Sequence, residues 1–342
     1  MPTDHPSTIH LITSYKRYNP IARDNVSEFE AGVLRDPLVS KIDSDSLALD
    51  FLRRVCGRLY RSRFRNVGRF AFGAVGWIPS GHHYFAMLRE VEFSKCFPFF
   101  ALCGRKSVYL DDAWPHTHDA ILNFVSRFRV ENVFVHSPQV VEMLRKRDPR
   151  IRSFWIPEGI DPQKYRHAPY DSKDIDVLNF GRRFDRYHER ILEPLQRMKK
   201  KYLFEKNQGE VVFYESADFI DGLARTKISI CVPLIETNAK RAGGISTMTM
   251  RYLQSMAAKC LVVGMLPADM LKVFSYNPIV EIDWSDPPGQ LLKLLANFSD
   301  YIPLIERNYA TVLASHTCEK RWYEIAKILR ADVVPEESIH PQ

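Results

Sequence analysis

The sequence predicts an α/β protein made of two Rossmann-like domains with parallel sheets. Short apolar segments alternate with segments of helical periodicity along most of its 342 residues. This pattern is typical of parallel strands joined by helices. The chain is also long enough for two domains of ordinary size. A polar segment with two prolines, residues 158–173, interrupts the alternation, and we expect the domain boundary there.

The N-terminal domain is predicted to cover residues 1–157. Apolar runs predict strands at 9–13, 83–88, 107–110 and 131–136, and helical spacing predicts helices at 46–64, 117–127 and 138–146. No glycine-rich turn follows the first strand, so the fingerprint of dinucleotide-binding domains is missing.

The C-terminal domain is predicted to cover residues 158–320, and residues 321–342 form the end of the last helix and a frayed tail. Strands are predicted at 175–180, 210–213, 227–232, 260–263 and 278–282, and helices at 186–200, 216–225, 247–258, 267–274, 289–298 and 300–330. Strand and helix alternate here as they do in the first half.

Composition excludes several classes of protein. The content of 45% hydrophobic and 26% charged residues is that of a soluble globular protein. No apolar run is long enough to span a membrane, and the first ten residues lack the basic-then-apolar pattern of a secretion signal. Six scattered cysteines without metal-ligand spacing favour reduced, buried thiols in a cytoplasmic protein.

The net charge of +7 is concentrated in one arginine-rich segment, Arg53–Arg69. Its seven arginines are Arg53, Arg54, Arg58, Arg61, Arg63, Arg65 and Arg69. A solvated helix face explains them as well as an anionic contact does. The contact could be a membrane surface, which would make the protein peripheral, a phosphorylated acceptor or, less favoured, nucleic acid.

Residues 243–264 carry the most informative pattern. Gly243 and Gly244 precede Ser246 and Thr247, two good N-cap residues, and a helical segment and a short strand follow. A glycine loop that leads into a helix can bind an anion, because free N–H groups and the helix dipole point the same way. An ordinary αβ unit with a tight entry turn would show the same pattern.

This segment resembles the donor-site helix of GT-B glycosyltransferases, in particular the retaining family-4 and CgeB-like enzymes. Other segments resemble parts of that fold in the same order: VFVHSP at 133–138, FWIPEGID at 154–161, DVLNFGR at 176–182 and KISICVP at 227–233. Together the matches cover roughly residues 131–330, and the first 130 residues carry little of the pattern.

The resemblance implies two Rossmann-like domains that face each other across a cleft. The N-terminal domain would bind the acceptor, the C-terminal domain would bind the nucleotide sugar, and the final helix would cross back to the N-terminal domain. Family-4 enzymes carry two glutamates separated by seven residues, whereas the matching positions here hold Ser246 and Gln254. Neither is acidic, although Gln254 can hydrogen-bond a ribose hydroxyl.

The donor site is predicted at the carboxyl ends of the strands, where open α/β sheets bind ligands. Arginines after strand 175–180 can hold a diphosphate, and the resemblance places one at Arg182, with Arg183 or Arg186 in place of a family lysine. Tyr214, after strand 210–213, is placed to stack on the base. The predicted donor-binding residues are Gly181, Arg182, Arg183, Tyr214, Glu236, Lys240, Arg241, Gly243, Gly244, Ser246, Thr247, Arg251 and Gln254.

The predicted catalytic residues follow strand 107–110. Asp111 or Asp112 could deprotonate an acceptor hydroxyl as a general base, and His116 is a third candidate. Asp111 and Asp112 could equally cap the next helix. His136, at another strand end, is expected to start a helix. A metal is not expected, because the resemblance is to enzymes that generally need none.

We therefore expect a metal-independent glycosyltransferase that moves a sugar from a nucleotide diphosphate, UDP- or GDP-linked, to a hydroxyl acceptor. The acceptor would be a glycan, a lipid-linked sugar or a small molecule, and no cofactor would be tightly bound. The alternatives are a basic GT-B enzyme that glycosylates DNA, a GT-B epimerase, and a non-catalytic GT-B protein that binds a nucleotide or a partner.

Overall fold

A computed structural model describes residues 8–13, 24–42, 51, 54–55, 82–90, 92–101, 104–207 and 210–331 of the protein, and these residues form two units. The first unit contains the described residues among Met1–Tyr18, Asn25–Pro157 and Glu319 onward, and the second contains Glu158–Cys318 together with Asp24. Each unit has one parallel sheet flanked by helices. The predicted α/β class is therefore confirmed.

The first unit has a six-stranded parallel sheet in the order β2-β1-β3-β4-β5-β6. Its strands are β1 (Ile9–Ile12), β2 (Val39–Ile42), β3 (His83–Arg89), β4 (Arg105–Asp111), β5 (Asn132–Val135) and β6 (Ser153–Trp155). Its helices are α1 (Asp24–Val33), α2 (His118–Phe128) and α3 (Pro138–Arg147). Burial of the apolar strands and of one face of each helix stabilises the unit. The predicted strands at 83–88, 107–110 and 131–136 are confirmed.

The last helix, α12 (Cys318–Ala331), packs on the first unit from Glu319 onward. The ring of Trp322 meets Phe85 of β3 edge to face at 5.1 Å, and its Nε1 donates to Asp36 at 2.8 Å. Arg330 pairs with the same carboxylate. One buried aromatic anchor with a satisfied polar edge therefore holds this helix.

The second unit has a five-stranded parallel sheet in the order β11-β10-β9-β7-β8. Its strands are β7 (Ile175–Asn179), β8 (Tyr202–Phe204), β9 (Thr226–Cys231), β10 (Leu261–Gly264) and β11 (Val280–Glu281). Its helices are α4 (Asp185–Arg197), α5 (Ser216–Ala224), α6 (Leu234–Thr237), α7 (Ala239–Ala242), α8 (Met250–Ala257), α9 (Met270–Val273), α10 (Pro287–Ala296) and α11 (Ile302–Ser315). One core cluster contains residues of α5 and α8, and a second contains residues of α4 and α10, so both faces of the sheet are covered.

The strand predicted at 210–213 is wrong. The strand of this αβ unit is instead β8, which begins soon after α4 ends, and residues 210–213 have no strand structure. The apolar side chains of Val212 and Phe213 pack against the core cluster of α5. Phe213 sits so close to Gly222 that a Cβ atom there would lie 2.2 Å from its ring. The apolar run is therefore a packed loop.

The start of the helix predicted at 247–258 is also wrong. α8 begins at Met250, with Thr249 in the N-cap position. Thr247 Oγ1 donates to the carboxylate of Asp269 at 2.6 Å, and the Met248 N–H donates to the same group at 2.7 Å. These two bonds keep the chain extended before the helix. Gly243 ends the short helix α7 in a left-handed conformation and does not lead directly into α8.

Most of the arginine-rich segment Arg53–Arg69 lies outside the described residues, as does most of the helix predicted at 46–64. Arg54 is described and is exposed. Among the helices that the structure describes, none is long and apolar enough to cross a membrane. The four described cysteines, Cys96, Cys231, Cys260 and Cys318, are buried thiols.

Candidate functional site

The central strands of the second unit create a switch point for ligand binding. From β7 the chain passes to β8 on one side and then to β9 on the other side of β7. The helices that follow β7 and β8 pack on opposite faces of the sheet. This arrangement leaves a crevice outside the carboxyl ends of β7 and β9, where open α/β sheets bind ligands. Residues after β7, after β9 and at the start of α8 are placed at this edge.

Arg251 and Gly181 meet at this switch point. Gly181 follows β7 with φ +80°, and a Cβ atom there would lie 2.7 Å from Nη1 of Arg251. The guanidinium therefore covers the backbone at a position that only glycine suits. Arg251 is half-buried, and no described residue accepts a hydrogen bond from its guanidinium or pairs with it. An unneutralised guanidinium at a ligand-binding edge is suited to an anion.

Of the arginines after β7, Arg183 has a structural role. Its Nη1 donates to the carbonyls of Glu205 and Lys206 at 2.9 and 3.0 Å, and its Nε donates to Asp185 at 2.6 Å. These bonds tie the end of β7 to the end of β8. Arg182 precedes it and is half-buried. Arg186 lies over the ring of Trp284 at 4.2 Å, so its charge already contacts a π face.

The predicted donor loop is folded into the two short helices α6 and α7. Glu236 is a half-buried residue of α6, and Lys240 is an exposed residue of α7. Asn238 joins the helices, because its side chain accepts a hydrogen bond from the Arg241 N–H at 3.0 Å. This cap gives the loop a defined conformation. Its charged residues therefore have fixed backbone positions after β9.

Sequence analysis missed Thr249. This residue occupies the N-cap position of α8, two positions before Arg251, but its side chain makes no capping hydrogen bond, and its Oγ1 is buried without a partner among the described residues. A buried hydroxyl without a partner is uncommon and calls for an explanation such as a ligand. The signal in the sequence is a second threonine, two positions after the predicted N-cap residue Thr247.

Several other predicted donor residues have partners within the protein. The amide of Gln254 is buried and donates to the Tyr165 hydroxyl at 2.8 Å, and the Ser246 hydroxyl accepts from the Ala268 N–H at 3.2 Å. Tyr214 is 65% exposed and does not follow a strand. The structure therefore brings Gly181 into contact with Arg251, two positions after Thr249, whereas the side chains of Gln254 and Ser246 bond within the protein.

In the first unit, the carboxylate of Asp111 is buried at the end of β4. Asn25 Nδ2 donates to its Oδ2 at 2.5 Å, and Nδ1 of His136, at the end of β5, lies 3.9 Å from its Oδ1. Burial, together with the charge of Asp112, raises the pKa of Asp111 to about 6. A carboxylate with this pKa is ionised at neutral pH and is a better proton acceptor than an exposed aspartate.

Asp112 has a different environment from its neighbour. It has a left-handed backbone with φ 56°, and its carboxylate accepts from Arg89 Nε at 3.3 Å and from Trp114 Nε1 at 2.9 Å. These two hydrogen bonds hold the Asp112 carboxylate in place. His116 lies in the following turn, is exposed, and makes no hydrogen bond or ion pair with any residue that the structure describes.

The partners of Asp111 come from distant parts of the sequence, and this is why sequence analysis missed Asn25 and ranked His136 as a helix start. Asn25 lies 86 positions before Asp111. His136 does precede α3, but its ring also meets Trp114 edge to face at 6.1 Å. The carboxyl ends of β3, β4 and β5 thus contribute Arg89, Asp111 and His136 to one polar cluster.

No protein-family model matches the sequence, and no match was found among curated proteins. Comparison of the structure gives a clear result. HepE from Anabaena, solved in complex with UDP and glucose, has a TM-score of 0.59 at 10% identity, over 94% of this chain and 99% of HepE. The chain has the GT-B fold.

Two other GT-B structures agree. Sucrose-phosphate synthase from Thermosynechococcus elongatus has a TM-score of 0.52 at 11% identity, over 95% of this chain and 98% of that one. TarM has a TM-score of 0.52 at 12% identity over 77% of this chain, which spans only 57% of TarM. The predicted resemblance to GT-B glycosyltransferases is therefore confirmed at the level of fold.

The GT-B units offer no obvious metal centre in their described parts. No group of three or more His, Cys, Asp or Glu side chains there could hold a metal ion.

Proposed function

We propose that the protein is a nucleotide-sugar-dependent glycosyltransferase that transfers a sugar to a hydroxyl acceptor. One observation carries the proposal: the guanidinium of Arg251 lies against Gly181 at the switch point of the second unit and has no acidic partner among the described residues. A diphosphate is the part of a nucleotide sugar that would neutralise this charge. The GT-B fold supports the same conclusion.

Arg251 and Arg182 would bind the diphosphate, and Thr249 would donate a hydrogen bond to it. Bond breakage at the sugar C1 leaves negative charge on the departing nucleoside diphosphate. Positive groups fixed in advance stabilise that charge as it develops, without reorganisation during the reaction. The N-terminal end of α8 adds a partial positive charge at the same edge. This arrangement needs no metal ion.

The loop after β9 would contact the rest of the donor. Glu236 would accept hydrogen bonds from sugar or ribose hydroxyls, and Lys240 and Arg241 would contact phosphate oxygens. We leave Arg183, Thr247 and Gln254 out of the proposed donor contacts, because their side chains already bond within the protein. UDP is the first nucleotide to test, because HepE was solved with UDP.

Asp111 would accept the proton of the acceptor hydroxyl. In the proposed reaction the acceptor oxygen forms a bond to the sugar C1, the bond from C1 to the phosphate oxygen breaks, and the proton passes to the carboxylate. We assign this role to Asp111 and not to Asp112 or His116. Asp112 is held by Arg89 and Trp114, and His116 is outside the cluster.

A thermal-shift series with UDP, GDP and ADP tests the donor site. A ligand that binds only the folded protein stabilises it by about 2.7 kcal/mol at a hundred times its dissociation constant. We expect UDP to raise the melting temperature of the wild type and of Arg197→Ala, an exposed arginine of α4. Arg251→Ala should abolish the shift, and Arg251→Lys should reduce it. No shift with any nucleotide at millimolar concentration would overturn the proposal.

A second candidate is a GT-B protein that binds a nucleotide without transferring a sugar. The observation in its favour is that neither Ser246 nor Gln254 supplies a carboxylate to the donor site, and both side chains bond within the protein. Release of UDP from UDP-sugars, followed with and without a panel of acceptors, separates the two functions. Binding without release would favour the second candidate.

A further inference from the structure

The second unit has a cavity that the proposed function does not use. Its volume is 340 Å³, within the size range of small-ligand sites. It lies between α5 and residues 164–168, which precede β7. The Ala168 N–H donates to the Ala224 carbonyl at the end of α5, so the wall is fixed by a backbone hydrogen bond. The cavity runs along α5 from Ala217 in its first turn to Ala224 at its end, and none of the residues proposed to bind the donor lines it.

The floor of the cavity is apolar. Ala217, Ile220 and Ala224 are spaced three and four positions apart on α5 and therefore share one face of that helix. Ala168 lines the opposite wall. An apolar floor of this size can cover an aromatic ring or a short aliphatic group.

The rim of the cavity is cationic. Arg166 is exposed and makes no hydrogen bond or ion pair with any residue in the described part of the chain. Lys164 and His167 also line the cavity. Burial and the nearby charges of Lys259 and Lys173 lower the pKa of His167, so the imidazole is neutral at pH 7 and can donate one hydrogen bond.

The acidic group of the cavity is already neutralised. Asp221 accepts from Arg225 at 3.1 Å, and Arg225 also donates to both carboxylate oxygens of Asp174. The Ala224 carbonyl at the end of α5 accepts from Lys173 Nζ at 2.7 Å. This bond counters the partial negative charge that a helix C-terminus would direct at an anion. The cavity therefore keeps an excess of positive charge beside an apolar floor.

We propose that this cavity binds a small organic phosphate monoester, with its phosphate on Arg166 and Lys164 and its apolar group on the face of α5. The proposal is independent of the donor site. Calorimetric titration of the full chain with phenyl phosphate tests it, with and without saturating UDP. We expect one site that UDP does not block, and weaker binding of both phenol and inorganic phosphate, because each lacks half of the recognised ligand.

Two variants and one control make the test specific. Arg166→Ala should weaken phenyl phosphate binding about tenfold or more, as loss of a charge-assisted hydrogen bond does. Ala217→Glu places a negative charge at an exposed position of α5 and should abolish binding while keeping the helix. Arg197→Ala removes an exposed arginine of α4 that pairs with Glu193 and does not line the cavity, and it should bind like the wild type.

Three outcomes would overturn the proposal. They are no binding at millimolar phenyl phosphate, equal affinity of the wild type and Arg166→Ala, and competition by UDP, which would place the ligand in the donor site. If inorganic phosphate binds as tightly as phenyl phosphate, the apolar floor does not contribute to binding. If UDP itself fails to bind, the titration without UDP still tests the cavity, so the two proposals fail separately.

Discussion

The guanidinium of Arg251 lies against the backbone of Gly181, 70 positions earlier in the sequence, so that a Cβ atom at Gly181 would come within 2.7 Å of its Nη1. The contact joins the end of β7 to the first turn of α8. Glycine is needed at this position for two separate reasons, its φ of +80° and the space that the arginine occupies. The cost of a left-handed backbone and the cost of displacing Arg251 can be measured separately, by comparison with a second glycine that has a positive φ but no close neighbour.

Gly181→Ala should destabilise the protein and weaken UDP binding. The left-handed backbone costs an alanine about 1 kcal/mol, and displacement of Arg251 adds to this. Gly244→Ala is the matched control for stability, because Gly244 has φ +87° and a Cβ atom there would meet nothing within 4 Å. Urea unfolding should give a larger loss for Gly181→Ala. Equal losses would show that Arg251 moves aside without cost.

Asp111→Asn should lower transferase activity by about 10²- to 10⁴-fold, the usual contribution of a general base, and should stabilise the protein at pH 8. The pKa of Asp111 is raised in the folded state from 3.8 to about 6. The folded protein therefore holds this proton more tightly than the unfolded chain, and its stability falls as the pH rises through that interval. Asparagine does not ionise, so the stability of Asp111→Asn does not fall over this pH interval. Melting temperatures at pH 4 and pH 8, with Asp119→Asn as an exposed control, check the sign.

The pH dependence of kcat/KM should follow the same group. If Asp111 must be ionised to accept a proton, log kcat/KM should rise with pH and level off above an apparent pKa of about 6. Asn25→Ala removes a hydrogen bond that lowers the pKa of Asp111, so its profile should shift to higher pH. A flat profile between pH 5 and pH 8 would exclude Asp111 as the base.

Lys173→Met should destabilise the second unit by about 3 kcal/mol, because it removes three hydrogen bonds from a cationic donor to backbone carbonyls. The buried Nζ of Lys173 donates to the carbonyls of Ala224, Thr226 and Ala258 at 2.7, 2.9 and 3.1 Å. It thereby joins the ends of α5 and α8 to the start of β9. Lys201→Met, which removes an exposed ion pair with Asp174, should cost less than about 1 kcal/mol in the same urea titration. Similar losses would contradict this role of Lys173.

The fold was predictable because its strands are buried on both faces. Such strands are largely apolar runs, as in residues 228–232, where Ser229 is the one polar residue, and 260–263. A short run of this kind between helices is a sufficient signal. Residues 210–213 show the limit of that signal. Their apolar side chains pack on α5 from a loop, and an apolar run looks the same whether its backbone pairs with a strand or not.

The candidate site was predictable where it depends on strand ends and not where it depends on distant partners. Gly181 and Arg251 were both predicted from their positions, but their contact was not. The start of α8 was placed too early because Asp269, more than 20 positions away, binds Thr247 and keeps it out of the helix. Asn25 was missed for the same reason, since only the folded chain brings it to Asp111.

Thr249→Val should weaken UDP binding without destabilising the free protein. Thr249 Oγ1 is buried and has no hydrogen-bond partner among the described residues, and valine replaces the hydroxyl with a methyl group of similar size. Removal of an unsatisfied buried hydroxyl is neutral or stabilising, whereas loss of a hydrogen bond to a charged ligand costs about 1.5 kcal/mol or more, roughly tenfold in affinity. Melting temperature without ligand and UDP titration measure the two effects. Thr237→Val, whose hydroxyl bonds the Leu234 carbonyl at 3.3 Å, is the control. If Thr249→Val binds UDP as tightly as the wild type, the hydroxyl does not face the donor, and Arg251 with Arg182 would have to hold the diphosphate alone.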